Sequence, residues 1–400
     1  MAHDLAPLDT RITPFANAST GPGPSDLGVV MGGGGARAAY QVGFLRAIAR
    51  RYPNLEIPYI TGVSAGAINA AHLGAHHGSF RQAVEELTRL WADLHVENVF
   101  RTDSMSLGRQ VFGTLRGLAS GGHTESDQLR GLVDTEPLRG FLSEALHTVR
   151  GEITGVNYNL ARGRLKALAL STSSYTTGQS VTWVQGKGIG EWERPTRRSR
   201  NTTLTVDHVM ASAALPLFFP AVALSDGWYG DGGIRLTAPL SPALHLGARR
   251  VLAISTRYAR TVEEADRPAV HGYPPPAQIL GVLMNAIFLD LMDQDAMRLE
   301  RLNRLLERLK PSDRLGMRPV KLMVLRPSVD LGRLAGRYEP RLPRVFRFLT
   351  RGLGTRATES PDFLSLILFQ PDYLRALMET GERDAEMRAD ELDAFLAEED

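Results

Sequence analysis

The sequence contains no cysteine in 400 residues, which excludes disulfides, thiolate metal sites and cysteine nucleophiles. Lysine is also scarce, so most of the positive charge comes from arginine, and the formal net charge is only +2. A chain with so little excess positive charge lacks the broad basic field that is typical of nucleic-acid binding. We therefore expect no nucleic-acid partner.

The N-terminal residues lack the basic head and the apolar stretch of a secretory signal peptide, which favours a cytoplasmic location. Residues 1–26 are rich in Pro, Gly, Ser and Thr and are expected to form a flexible leader. The longest strongly apolar run, residues 279–292, is interrupted by Asn285 and Asp290. It is shorter than the roughly 20 residues that span a bilayer, so we expect a soluble or peripheral protein.

From residue 27 onward, short apolar runs of β-forming residues alternate with helical patterns. The run Leu27–Met31 leads through a glycine-rich turn into a helical pattern, and a second run ending at Val63 precedes a helix of small residues. This order predicts an α/β fold with a mainly parallel central sheet flanked by helices. We place the α/β domain at residues 27–257 and a mostly helical extension, packed on it, at residues 258–400.

Three further segments of the sequence have recognisable patterns. Val320–Ser328 has the composition of a strand added to an edge of the sheet. Residues 104–125 mix apolar residues with glycines, and a lid or a plain surface helix and loop fit them equally well. In residues 297–310 the apolar residues recur at helical spacing, which predicts an amphipathic helix. Its apolar face is formed by Met297, Leu302, Leu305, Leu306 and Leu309.

A run of four glycines, Gly32–Gly35, ends the first predicted strand and opens a helix. Glycines let the backbone approach a ligand closely, and free N–H groups at a helix N-terminus attract negative charge. The loop therefore suits a phosphate or an oxyanion, with a purely structural turn as the alternative. Residues 33–38 also fit the loose dinucleotide pattern, although Glu56, the acidic residue at about the right distance, precedes the second strand.

Ser64 stands between Gly62 and Gly66, at the point where the second predicted strand gives way to a helix. Gly-x-Ser-x-Gly in this context is typical of a nucleophilic serine that projects from a sharp turn. The positive end of the following helix helps to stabilise negative charge that develops there. The pattern predicts that Ser64 is a nucleophile, and such a serine needs a base.

Asp231 is the best candidate for that base. Gly232 and Gly233 follow it and permit an unusual turn, whereas an Asx-type turn is the structural alternative. The two histidines beyond this motif are His245, in a helical pattern, and His271, in a proline-rich stretch. Neither has the surroundings of a catalytic loop, so we predict a satisfied surface role for both.

The glycine-rich loop, Gly-x-Ser-x-Gly and Asp-Gly-Gly, in this order, resemble the patatin-like phospholipase family of the bacterial type, whose members use a Ser-Asp dyad. The similarity extends to "ITGVSAGAINA", "VMASAALPLFFPAV" and "DGGIRLTAPLSPALHLGARRVLAIS" and spans about residues 27–257. It implies a patatin-like three-layer α/β/α fold. It also implies a serine lipid acyl hydrolase, phospholipase A-like or lysophospholipase-like, that cleaves carboxylic ester bonds and needs no cofactor or metal.

Carried over residue by residue, the resemblance makes Ser64 the nucleophile and Asp231 the acceptor of its proton. The N–H groups expected to bind the oxyanion are those of Gly33, Gly34, Gly35 and Ala65. The supporting motif positions are Arg37, Gly62, Gly66, Gly232 and Gly233. The sequence departs from the family at Ala38, where a further glycine is common. Alanine is tolerated there if the position has helical dihedral angles and resisted if its φ is positive.

Other functions and the membrane contact stay open at this point. A lipid acyltransferase would use the same acyl-enzyme with an alcohol or thiol acceptor, and a non-catalytic lipid-binding protein would keep the fold alone. Access to a lipid ester implies peripheral membrane contact. Residues 337–351 suit an anionic membrane because arginines interleave with apolar residues there. A core-packed helix with a solvated basic face has the same pattern.

Overall fold

The computed structural model of the chain describes residues 26–101, 131–270, 272–342, 347, 350–352, 354–358 and 360–397. The segment predicted as a lid or surface loop, residues 104–125, lies outside these residues, as does nearly all of the predicted leader. The described chain is organised around one ten-stranded sheet with helices on both faces.

The strands in chain order are β1 (Leu27–Met31), β2 (Tyr59–Val63), β3 (Ala167–Ser174), β4 (Ser180–Gly186), β5 (Glu193–Arg194), β6 (Arg197–Asn201), β7 (Val222–Leu224), β8 (Gly227–Asp231), β9 (Arg250–Ile254) and β10 (Lys321–Leu325). The helices up to β9 are α1 (Ala39–Arg51), α2 (Ala65–Ala75), α3 (Phe80–Ala92), α4 (Val96–Val99), α5 (Glu136–Ala145), α6 (Thr154–Ala161), α7 (Val206–Ser212) and α8 (Ser241–Leu246). The later helices are α9 (Val262–Ala265), α10 (Pro276–Phe288), α11 (Asp290–Arg308), α12 (Leu331–Gly336), α13 (Asp362–Ile367), α14 (Pro371–Met387) and α15 (Ala389–Leu396).

The sheet is mixed, with a parallel core. Strands β10, β9, β1, β2 and β3 lie side by side in that order and are all parallel, whereas β4 continues the sheet antiparallel to β3. Parallel strands are joined by crossover connections, which here carry helices such as α1 between β1 and β2. The predicted α/β class with a mainly parallel sheet is confirmed.

Side chains that alternate along the strands pack against two separate helical layers. In β9, Leu252 and Ile254 join the larger apolar core with α1, α2 and α14, whereas Val251 and Ala253 join a second core with α8 and α11. Strands buried on both faces read as continuous apolar runs, which is why the sequence pattern of β1 and β9 shows little alternation. The architecture has three layers, α/β/α.

The C-terminal half is continuous with the sheet and with its helical layers. β10 forms the predicted edge strand and pairs in parallel with β9. Helix α14 packs directly on α1, where a Cβ on Gly43 would lie 1.8 Å from the Met378 carbonyl oxygen. A Cβ on Gly381 would lie 2.1 Å from the Tyr40 carbonyl oxygen. Only glycine allows the two backbones to approach this closely.

The helix predicted over residues 297–310 is present within α11, but its predicted apolar face is wrong. Of the five residues assigned to that face only Leu306 is buried, and Met297, Leu302, Leu305 and Leu309 are exposed. The buried face is formed by Met292, Ala296, Leu299 and Leu306. Asn303 exchanges two hydrogen bonds with the backbone of Val320, just before β10, and these bonds help to fix the helix in this rotation.

Candidate active site

The ends of two strands meet beside β3. β2 runs parallel to β3, and its last pair joins Val63 to Ser171. β8 runs antiparallel to β3 along the same edge, and its last pair joins Asp231 to Thr172. Because the two partners in β3 are consecutive, β2 and β8 approach one point from opposite directions with their carboxyl ends facing. Ser64 and Asp231 are thereby brought together although they are far apart in sequence.

Ser64 occupies a strained turn between β2 and α2. Its dihedral angles, φ 57° and ψ −137°, are rare for any residue other than glycine. The Ser64 N–H donates to Ser212 Oγ at 3.1 Å, and that hydroxyl donates to the Ser171 carbonyl at 2.7 Å. Ser64 is the N-cap residue of α2, so the positive end of this helix lies at its side chain.

The glycines on either side of Ser64 are required by packing. A Cβ on Gly66 would lie 2.4 Å from the carbonyl oxygens of both Met31 and Gly32, at the end of β1. A Cβ on Gly62 would lie 2.6 Å from the carbonyl oxygen of Gly66. Any larger residue at either position would displace backbone, and the turn that presents Ser64 would be lost.

Asp231 is completely buried at the end of β8. Its Oδ1 accepts a hydrogen bond from the Gly233 N–H at 2.9 Å, so Gly233 closes an Asx-like turn and orients the carboxyl group. A Cβ on Gly232 would lie 2.1 Å from the Ser171 carbonyl oxygen, which explains the first glycine. The Asx-type turn predicted as the structural alternative is therefore present, and it aims the carboxyl group. The role of Asp231 as a base stays a prediction.

The Asp231 carboxyl group lies close enough to the Ser64 side chain for the two to interact. Burial raises the pKa of Asp231 to about 7, while hydrogen bonding from the Ser64 side chain and from the Gly233 N–H lowers it. Yet Oδ2 has no hydrogen bond of good geometry within the described residues. The two observations agree if Ser64 lies within reach of the carboxyl group but is imperfectly aligned, which is common in sites without substrate.

The raised pKa predicts a pH dependence of activity. A carboxylate accepts a proton only when it is ionised, and burial raises the pKa of Asp231 to about 7. We expect kcat/KM for a soluble ester to rise about tenfold per pH unit below 7 and to level off above it. Initial rates of ester hydrolysis measured from pH 5 to 9 would show this rise. A rise of kcat/KM centred near pH 4 would contradict the assignment of Asp231 as the base, since that is the range of an ordinary carboxyl group.

The glycine loop lies directly beside Ser64. A Cβ on Gly33 would lie 2.9 Å from Ser64 Cβ, and Thr256 Oγ1 donates to the Gly33 carbonyl at 2.7 Å. Gly34 and Gly35 have φ of 144° and 54°, which favours glycine. Across the described parts of the chain, the N–H groups of Gly34 and Gly35 donate to no backbone carbonyl. Both residues line the same pocket as Ser64.

Ala65 completes the set of predicted donors. It is the first residue of α2 and lines the pocket with Ser64. The first N–H groups of a helix have no intrahelical acceptor, so the Ala65 N–H is available to a ligand. The structure thus brings Gly34, Gly35 and Ala65 to one pocket wall. Gly33 lies against Ser64 but lines a smaller neighbouring cavity.

Arg37 follows the glycine loop and is committed to the protein interior. It forms an ion pair with Asp362 at 2.6 Å, and its Nε donates to Ser365 Oγ at 2.6 Å. Both partners belong to α13, so Arg37 ties the loop to the C-terminal region. Ala38 has a φ of −64°, in the helical range, which is the case in which we predicted that alanine is tolerated.

Helix α13 also covers one side of the glycine loop. A Cβ on Gly35 would lie 2.1 Å from the Leu366 carbonyl oxygen. A dinucleotide needs open space at such a loop for its pyrophosphate, whereas an oxyanion needs only room for one oxygen atom. The packing of Leu366 therefore favours the oxyanion alternative among those that the sequence leaves open.

An apolar pocket of about 900 Å³, including its open part, extends from Ser64 along α2. From α2 itself the pocket is lined by Ser64, Ala65, Ile68 and His72, which follow one another on the same helical face. Eight residues of helix at 1.5 Å each give a length of roughly 12 Å from Ser64 to His72. The remaining walls are mainly apolar side chains of α3, α5 and α13.

Among the described histidines, His245 and His72 are both engaged by other parts of the structure. The His245 ring stacks on Trp192 with centroids 4.5 Å apart, and burial lowers its pKa to about 4. His271 lies outside the described residues. His72 lines the pocket, but its Nε2 is 3.1 Å from the Ala83 carbonyl oxygen, and burial lowers the pKa of His72 to about 4. In the described ranges no group of acidic and histidine side chains is arranged to hold a metal ion.

Three residues of this site have no signal in the sequence. Ser212 supports the Ser64 turn, Asp362 pairs with Arg37, and Phe288 lines the pocket from the end of α10. All three reach the site through contacts between elements distant in sequence. A single sequence without aligned relatives contains no pattern that would single them out.

Residues 29–244, more than half of the chain, match the family model described as patatin-like phospholipase. Among curated proteins, none matches the chain. Solved structures that resemble it are VipD from Legionella pneumophila (13% identity, TM-score 0.40) and human GIVD cytosolic phospholipase A2 in complex with methyl γ-linolenyl fluorophosphonate (14%, 0.43). A third is the type III effector ExoU from Pseudomonas aeruginosa (14%, 0.35).

These alignments cover 92%, 93% and 94% of this chain in the same order, but only 67%, 58% and 54% of the three proteins. The chain thus spans between about half and two thirds of their lengths. With TM-scores below 0.5, these three similarities assign no individual feature to the chain. The match to the family model carries the relationship.

Proposed function

Because the chain belongs to the patatin-like phospholipase family, we propose that it is a serine lipid acyl hydrolase that cleaves carboxylic ester bonds through an acyl-enzyme. The observation that carries the proposal is the meeting of Ser64 with the buried carboxyl group of Asp231 beside an apolar pocket. In this proposal the two residues form a catalytic dyad, and the pocket binds the acyl chain.

In the first step the ionised carboxyl group of Asp231 accepts the proton of the Ser64 hydroxyl while Oγ attacks the ester carbonyl carbon. The carbonyl oxygen becomes an oxyanion, which N–H groups of the glycine loop and of Ala65 stabilise. The loss of one such donor typically lowers the rate about 100- to 1000-fold. When the C–O bond breaks, protonated Asp231 returns its proton to the leaving alcohol.

In the second step Asp231 accepts a proton from water, and the resulting hydroxide attacks the acyl-enzyme carbonyl. The second oxyanion uses the same N–H donors. Its collapse releases the fatty acid, and the proton on Asp231 returns to Ser64 Oγ. Among the described residues, no charged side chain contributes to the raised pKa of Asp231. Burial alone therefore makes this carboxyl group a base matched to neutral pH.

Because the pocket extends along α2, we expect its length to determine which acyl chains the protein accepts. Ile68 lines the pocket about one turn beyond Ser64. Replacing Ile68 by tryptophan should block the pocket beyond this point, because the larger ring would occupy space that a long acyl chain needs. We expect kcat/KM for long-chain esters to fall at least about tenfold while that for an acetyl or butyryl ester changes little.

The experiment is a series of p-nitrophenyl esters from two to sixteen carbons, assayed with the parent protein and with the Ile68→Trp variant. The matched control is Leu305→Trp, which places the same ring on the exposed face of α11. Release of free fatty acid, measured with and without an added alcohol acceptor, separates hydrolysis from acyl transfer. An unchanged chain-length profile in Ile68→Trp would remove the pocket from the proposal.

A further inference from the structure

Helix α10 presents an apolar face to solvent. None of its 13 residues is charged, and only Ala277 and Gly281 are buried. Ile279, Val282 and Leu283 are 46%, 57% and 50% exposed. With Ala286, which is also exposed, they follow the spacing of a single helical stripe. An uncharged helix with an exposed apolar stripe is unusual for a protein surface in contact with water only.

The polar side chains of α10 point toward the protein. Gln278 Oε1 accepts a hydrogen bond from Thr358 Oγ1 at 2.6 Å, and Asn285 Nδ2 donates to Asp362 Oδ2 at 2.8 Å. A Cβ on Gly281 would lie 3.1 Å from Asp362 Cβ, so this face of the helix fits closely on α13. These contacts fix the rotation of α10. Its apolar stripe is exposed because the polar contacts hold it outward.

The helix ends at the candidate active site. Phe288, its last residue, lines the pocket that contains Ser64. A Cβ on Gly233 would lie 2.3 Å from the Phe288 ring, so this ring packs against the turn that orients Asp231. The exposed stripe and the pocket are therefore continuous along one helix. A surface that bound this stripe would lie next to the pocket.

The length and charge pattern of this region suit a helix that lies in the membrane–water interface more than one that crosses the membrane. By length and composition, the stretch Pro276–Arg308 is long and apolar enough to span. Its second half, however, begins with Asp290 and Asp293, which pair with Arg257 at 2.5 and 2.8 Å. Helix α10 alone measures about 20 Å, less than the roughly 30 Å of a bilayer core.

We propose that α10 is a membrane-docking helix whose outer face, Ile279, Val282, Leu283 and Ala286, inserts among the lipids of a membrane surface. This rests on the proposed function in one respect, because a lipid surface is where a lipid acyl hydrolase finds its substrate. The surface needs no anionic lipid, since the helix carries no charge. Binding is therefore expected on zwitterionic phosphatidylcholine vesicles and is expected to resist salt.

The basic segment at residues 337–351 stays a separate prediction. Within its described part, Arg341 forms an ion pair with Asp372, and Arg347 donates to the Pro340 carbonyl at 2.7 Å. Membrane binding through that segment would depend on anionic lipid and weaken with salt. Binding through α10 would do neither. Lipid composition and ionic strength thus separate the two surfaces.

The test is co-sedimentation of the full chain with phosphatidylcholine vesicles in a Ser64→Ala background, so that no lipid is consumed. We expect the double variant Val282→Asp, Leu283→Asp to bind vesicles at least about tenfold more weakly, because two apolar side chains lose their burial. The matched control is Leu305→Asp, which alters an equally exposed leucine on α11 and should bind like the parent. Raising NaCl from 0.1 to 0.5 M should change little.

The proposal would be overturned by vesicle binding of the double variant equal to that of the parent, by no vesicle binding of the parent, or by binding that requires anionic lipid. Sedimentation velocity without lipid tests a second copy of the chain as the occupant, and a dimer broken by the double variant would also overturn it. Turnover of a soluble acetyl ester, with Ser64 intact, separates the two proposals. If the parent does not turn over this ester, the hydrolase function is ruled out. The membrane-docking proposal is decided separately, by the vesicle-binding results.

Discussion

Replacing Ser64 by alanine is expected to lower ester turnover by about 10,000-fold or more. The reaction then has no nucleophile, and only binding and the N–H donors remain to assist attack by water. The substitution removes one oxygen atom and keeps the N–H that donates to Ser212. We therefore expect the fold to be retained. Initial rates with a soluble ester measure the change, and circular dichroism and the melting temperature report the fold.

The control for this variant is Ser212→Ala, which removes a hydroxyl that touches the Ser64 backbone but not the reacting atoms. If Ser64 is the nucleophile, Ser212→Ala should retain much more activity than Ser64→Ala. Equal residual turnover in the parent and in Ser64→Ala, with the fold intact, would show that another residue carries the reaction.

Replacing Asp231 by asparagine is the second large effect, with turnover expected to fall about 1000-fold. Asparagine keeps the shape and still accepts the Gly233 N–H, but it cannot take a proton from Ser64. The rise of kcat/KM through pH 7 should disappear with it. Rates measured from pH 5 to 9 check both expectations, and undiminished activity would remove Asp231 from the mechanism.

The same substitution should stabilise the protein at neutral pH. Burial raises the folded-state pKa of Asp231 from 3.8 to about 7, so the folded state holds a proton that the unfolded state releases between these values. Stability from this group is therefore fully present below pH 3.8 and is lost as the pH rises through about 7. We expect Asp231→Asn to melt higher than the parent at pH 8. The difference should shrink as the pH falls toward 4.

Opposite signs for activity and stability would be hard to explain by a structural role alone. A variant that merely disturbed packing would lose activity and melting temperature together. A less active and more stable Asp231→Asn protein is the behaviour of a buried carboxyl group kept for its chemistry. Melting curves at pH 5 and pH 8 for both proteins make the comparison.

Much of the fold is readable from local sequence patterns. β1, β2 and β9 are largely apolar runs because both faces of the parallel core are covered. β1 ends at the glycine-rich turn, and β2 leads through Ser64 directly into α2. The rotation of α11 is not readable in this way. Its apolar residues lie on more than one face, and the contact of Asn303 with Val320 helps to decide which face is buried.

The candidate active site is likewise only partly predictable from local sequence patterns. Ser64 and Asp231 are identifiable because each sits among glycines whose spacing reflects a local turn. Their meeting depends on the register of β2 and β8 along β3, which no local pattern encodes. In the sequence, the apolar stripe of α10 is visible only as part of a long apolar run. Which residues face outward depends on the contacts of Gln278 and Asn285 with distant segments.

Labelling with an alkyl fluorophosphonate shows whether Ser64 is a nucleophile activated by Asp231. The serine oxygen displaces fluoride and forms a stable phosphonyl ester, which mass spectrometry of the digested protein locates. We predict one adduct per chain on the peptide that contains Ser64, no adduct in Ser64→Ala, and much slower labelling in Asp231→Asn. An unlabelled parent protein, or an adduct elsewhere that persists in Ser64→Ala, would rule out Ser64 as the nucleophile.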